Sequence, residues 1–96
     1  MIEHIVAFNL KAEPGTPEEK DFLDALYSFS EIPGVQNLKV VRQISSKGSF
    51  AFAISMWFED QAALDSYDAS QAHVDFVNDR WIPECVDWAT LDFVAL

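Results

Sequence analysis

The chain has 96 residues, half of them apolar, with six Lys and Arg against sixteen Asp and Glu for a formal charge of −10. That length makes one domain with a modest core, and so much apolar content is incompatible with a disordered chain. The acidity argues against a nucleic-acid or anionic-lipid partner, and the single cysteine, Cys85, excludes an internal disulfide or a multi-cysteine metal site.

Ile2 to Leu10 reads as a strand, with His4, Val6, Phe8 and Leu10 on one side and Ile5, Ala7 and Asn9 on the other. After a loop, Thr16-Pro17-Glu18-Glu19 announces a helix: Thr16 as N-cap, Pro17 in the first turn and Glu19 completing a capping box. Phe22, Leu26 and Phe29 follow at helical spacing, and the helix is predicted to end near Glu31, before the Pro33-Gly34 turn.

Val35 to Ser45 is predicted as a second strand whose imperfect alternation suggests a bulge. Ser46-Lys47-Gly48 connects it to a third, Phe50 to Phe58, with Phe50, Phe52, Ile54, Met56 and Phe58 on one face. Asp60 caps a short helix over Gln61 to Tyr67. Ser70 caps another over Gln71 to Ile82, with Val74, Val77 and Trp81 on its apolar stripe and Pro83 closing it. Asp87 to Leu96 is the last strand, placing Trp88, Thr90, Asp92 and Val94 on one side.

This order is the split βαββαβ pattern of a ferredoxin-like α+β domain: a four-stranded antiparallel sheet with its helices on one face. The uncovered face carries apolar residues, and two such faces packed together would enclose a cavity, so a homodimer is expected. The N-terminus, Met1-Ile2-Glu3-His4, lacks a basic segment followed by a long apolar run, and no run approaches the ~18 residues of a membrane span. The expected setting is cytoplasmic, with no membrane partner.

The ordered set His4-Ile5-Val6-x-Phe8-x-Leu10, Ile32-Pro33-Gly34-Val35, the Phe50–Phe58 strand running into Glu59-Asp60, Ala63-Leu64-x-x-Tyr67, Ala72-His73-x-x-Phe76-Val77 and Asp92-Phe93 resembles the stress-responsive A/B barrel (Dabb) family across nearly all 96 residues. Gln71 stands where that family usually has a proline, two residues before the histidine. The resemblance implies one domain over residues 1–96, forming a dimeric α+β barrel with two sheets facing each other. Most members have no assigned function. The plant olivetolic acid cyclase in this family closes a linear polyketide by aldol condensation without a cofactor. It is similar at Tyr67, His73, His4 and Asp92, which the resemblance makes candidate catalytic residues.

The residues themselves allow two readings each. His73 lies in the first turn of a helix, where the dipole disfavours imidazolium and leaves the neutral ring a general base needs. Alternatively, it packs the helix on the sheet. Tyr67 is suited to donate a hydrogen bond to a developing enolate oxygen or, alternatively, to roof the core. Asp92 requires a partner if buried, and His4 or His73 could supply one; otherwise it is solvated at the sheet end. No phosphate loop or nucleophile motif is present, and no local His-x-x-His spacing supports a metal.

The expected function is therefore a Dabb-type homodimer, stress-associated and of open activity, that binds a small apolar carbonyl or aromatic ligand in a cavity without cofactor or metal. The alternative is a cofactor-independent cyclase, lyase or isomerase with His73 as base and Tyr67 as oxyanion donor. A third reading, by fold analogy alone, is a cofactor-free monooxygenase.

Overall fold

The structure, a computed structural model, describes all residues from Met1 to Leu96. Strand β1 (Ile2–Leu10) leads to helix α1 (Pro17–Ala25), whose last turns tighten into a 3₁₀ segment over Leu26–Glu31. Strands β2 (Gln36–Arg42) and β3 (Phe52–Phe58) follow, then α2 (Gln61–Ala69) and α3 (Gln71–Phe76). The chain continues from α3 through a π turn (Val77–Trp81) and a last α turn (Ile82–Glu84) into β4 (Cys85–Phe93). The sheet is antiparallel with order β2-β3-β1-β4, as the ferredoxin-like pattern requires. No helix is long and apolar enough to cross a membrane.

Local chemistry sets the boundaries. Thr16 caps α1, its side chain accepting from the Glu19 N–H at 3.3 Å, an interaction worth about 1 kcal/mol. The Glu19 carboxylate returns to the N–H of Gly15, one residue earlier than the expected capping box, because the Thr16 N–H is already donated to the Glu13 carbonyl. Gly34 takes a positive φ of 91° at the turn into β2, where glycine avoids the steric cost of a side chain. The predicted bulge lies between Gln36 and Lys39, with Asn37 at φ 50°. Both hairpin strands are shorter than predicted, since β2 stops at Arg42 and β3 begins at Phe52.

The strand parities hold. Ile2, His4 and Phe8 of β1 and Phe52, Ile54, Met56 and Phe58 of β3 are buried beneath the helices. Phe8 is fully buried and touches the rings of Phe22, Phe52 and Trp81, a cluster joining sheet to helices. Each such side chain stabilises the fold by about 1.5–3 kcal/mol relative to exposure.

Val74 departs from the predicted stripe: it is exposed, while Phe76 packs on the core beside Val77 and Trp81. Residues four apart drift about 40° per step around an α-helix, and the wider π turn offsets that drift. His73, Val77 and Trp81 thereby stay on the sheet-facing side. The opposite sheet face has no covering layer: Val41, Leu91 and Phe93 are each nearly half exposed there, around Ile5 and Ala7.

Candidate active site

A cleft of about 300 Å³ lies between the sheet and the α2–α3 layer. His4 and Val6 of β1, Ile54 of β3 and Trp88, Thr90 and Asp92 of β4 form its floor. The register explains this grouping, since His4 pairs with Asp92 and Val6 with both Ile54 and Thr90 across adjacent strands. Residues directly opposite in an antiparallel pair share a face. Phe29, Tyr67, His73, Val77 and Trp81 form the roof. Ile82 and Trp88, 52% and 44% exposed, mark the mouth.

The location corrects the expectation that the candidate residues face a hollow between two sheets. The four candidate residues share the Phe8 side of the sheet or lie on the helices above it, so the cleft is built within one chain. A side chain of that parity cannot reach the uncovered face.

All four candidates, Tyr67, His73, His4 and Asp92, line this cleft at its polar end. The buried His4 ring meets the Asp92 carboxylate, Nδ1 to Oδ1 at 2.5 Å, whereas the Asp92 side chain is 43% exposed toward the opening. A carboxylate accepts, so Nδ1 of His4 carries the hydrogen. The solvated reading of Asp92 is thus half right: it is both paired and wet.

His73 donates from Nδ1 to the backbone carbonyl of Asp68 at 3.0 Å. A carbonyl can only accept, so the neutral ring keeps its lone pair on Nε2. The break between α2 and α3 creates this contact. The last carbonyls of α2 lack helical partners, Ser70 takes that of Tyr67, and His73 takes that of Asp68. The Asp68 carboxylate lies 4.0 Å from Nε2 of His73.

Tyr67 packs between the two imidazoles, with ring centroids 4.6 Å from His73 and 5.9 Å from His4. Its hydroxyl has no hydrogen-bond partner in the protein, yet no sealed side-chain polar atom is left unpaired, so the hydroxyl opens on the cleft. Burial, with a smaller contribution from the Asp68 carboxylate, pushes the phenol above its ordinary value. Tyr67 therefore remains a proton-bearing donor in neutral water and is not a base.

Sequence reading missed Asp68, which acts largely through its backbone, and the apolar walls Phe29 and Ile82. The only signal for Asp68 was its place at a helix break. Trp81 and Trp88 do line the cleft, whereas Trp57 lies on the uncovered face opposite Gln36 and Glu3. No three His, Cys, Asp or Glu side chains converge to form a metal-binding group.

A ferredoxin-like α+β domain with one apolar cleft and a histidine–tyrosine–carboxylate end is thus defined by fold and geometry. The chain belongs to the stress responsive A/B barrel domain family (Dabb), which matches residues 2–95. A Dabb protein with a ferredoxin-like fold from Mesorhizobium loti is 45% identical, with a TM-score of 0.95 over 99% of this chain and 96% of that one. A stress-response A/B barrel domain-containing protein from Arabidopsis thaliana is 27% identical over 97 residues, covering 99% of this chain. This chain spans 37% of the length of that plant protein.

Two further solved structures share the fold at lower identity. A hydroxynitrile lyase from Passiflora edulis has a TM-score of 0.84 at 16% identity, over 99% of this chain and 93% of its own. A dimeric ferredoxin-like protein of unknown function from Thermobifida fusca has a TM-score of 0.78 at 20% identity, over 98% and 90%.

Proposed function

We propose that this Dabb domain is a homodimer that binds a small apolar carbonyl compound in the cleft of each chain and transfers a proton on it without a cofactor. The observation that carries this reading is the pairing of a free Tyr67 hydroxyl with a His73 ring whose Nδ1 is tied to the Asp68 carbonyl, at the polar end of an apolar cleft. His73 Nε2 removes a proton beside the carbonyl, or from the hydroxyl of a hydroxynitrile, whose C–C bond to the nitrile carbon then breaks to give the carbonyl and cyanide, which takes the proton back from His73 as hydrogen cyanide. Tyr67 donates to the oxygen that carries negative charge in the former case. His4 and Asp92 hold the adjoining wall and its hydrogen-bonding capacity. Other solved ferredoxin-like proteins described as dimeric support pairing, the half-exposed Val41, Leu91 and Phe93 of the uncovered sheet face offer an apolar surface for it, and the hydroxynitrile lyase supports lyase chemistry on this fold.

The test is hydrogen–deuterium exchange at the α-carbon of a neutral ketone such as phenylacetone in D₂O, followed by NMR. The wild-type chain accelerates exchange over buffer, and His73→Ala removes the acceleration by about 10²-fold or more without loss of folding. No acceleration by the wild-type protein would overturn the catalytic reading.

A further inference from the structure

We infer that the cleft admits uncharged or cationic ligands and rejects anions, with Asp68 and Asp92 as the residues that set this selectivity. The inference rests on the ligand-binding reading above and narrows its substrate class.

The ionisable lining of the cleft consists of two carboxylates, Asp68 and Asp92, two imidazoles, His4 and His73, and the Tyr67 phenol. No lysine or arginine takes part. With both imidazoles neutral the lining carries two negative charges, and with both protonated the charges cancel. The lining is never net positive in neutral water, so a bound carboxylate or phosphate gains no net counter-charge to replace the water it loses.

The cations of the chain are committed elsewhere. Arg80 is held by Asp21 and Glu84, outside the cleft lining. Lys20 pairs with Asp24, and Arg42 lies over the Phe52 ring near Glu19. Lys11, Lys39 and Lys47 also lie outside the cleft lining. The net charge of −10 adds a background field of the same sign.

The walls fit the permitted classes. Phe29, Trp81 and Trp88 present aromatic surface, which takes up a neutral ring by burial and also attracts an ammonium group. Both carboxylates keep exposed oxygens, with side chains 53% and 43% accessible for Asp68 and Asp92. They are therefore placed to meet a ligand head group. A neutral carbonyl satisfies Tyr67 and leaves both aspartates hydrated. An anionic head faces them at close range.

Three probes of one ring size separate the outcomes: benzyl alcohol, benzylamine and benzoate, titrated at pH 7.5 while the indole N–H signals of Trp81 and Trp88 are followed by NMR. Benzyl alcohol and benzylamine are expected to shift these signals, with benzoate weaker by about tenfold or more. Asp68→Asn with Asp92→Asn, which retains an acceptor for His4, is expected to close most of that gap. Benzoate binding within about threefold of benzyl alcohol to the wild-type chain would overturn the charge selectivity and leave the pocket intact. If none of the probes shifts either indole, the ligand-binding reading itself fails, and the selectivity fails with it.

Discussion

His4 and Asp92 stand directly opposite each other on β1 and β4, and the Nδ1–Oδ1 contact of 2.5 Å joins a buried polar group of the cleft to one of its most accessible. The pair ties the edge strand to the centre of the sheet at the polar end of the cleft. Asp92→Ala leaves the His4 N–H buried without an acceptor, a loss of about 1–3 kcal/mol. Asp92→Asn keeps an acceptor and costs less. Thermal unfolding of the two variants should rank them in that order.

Tyr67 separates function from stability. Its ring is buried against Phe29, Phe58 and His73, but its hydroxyl has no partner in the protein. Tyr67→Phe should change stability by less than about 1 kcal/mol while lowering α-proton exchange about 10²-fold. Tyr67→Ala should unfold the chain at a much lower temperature, because it empties a core position at a cost of about 3–5 kcal/mol. Denaturation and exchange measured on both variants distinguish the ring's role from the hydroxyl's.

Alkaline pH should destabilise the fold in part through Cys85. Burial pushes this thiol from 9.0 up to about 12, aided by Glu84 and Asp87. Between those values the unfolded chain has released the proton and the folded chain still holds it. Stability conferred by the thiol is thus complete below about pH 9 and declines as pH rises toward 12. Tyr67, shifted in the same direction, adds its own decline above its ordinary value of 10.0. Denaturant titrations from pH 8 to 11 should show the decline, and Cys85→Ala should flatten its first part whatever its offset at neutral pH.

The uncovered sheet face and the cleft should prove independent. Leu91 and Phe93 point away from the helices, each nearly half exposed, whereas the cleft belongs to a single chain. Leu91→Asp with Phe93→Asp is expected to convert a dimer to a monomer by light scattering. Because no cleft residue is replaced, the monomer should retain probe binding wherever it stays folded.

Sequence parity made much of this legible. Alternation alone put His4 with Phe8, and Asp92 with Trp88 and Thr90, and the strand order then brought the two sets together. The departure was the side of the sheet that the candidate residues face, although the Phe52–Phe58 row already marked the Phe8 side as the covered one. Asp68 escaped notice because its hold on His73 runs through a carbonyl that every residue type possesses. The π turn escaped because no residue preference announces it, so Val74 was assigned the buried place that Phe76 occupies.

The most direct measurement is a crystal structure of the chain with phenylacetone bound. The ketone oxygen is expected within hydrogen-bond reach of the Tyr67 hydroxyl, with the α-carbon facing Nε2 of His73 and the ring against Trp81 and Trp88. Ligand density lodged instead on the bare face around Phe93, between two sheets, would contradict this arrangement.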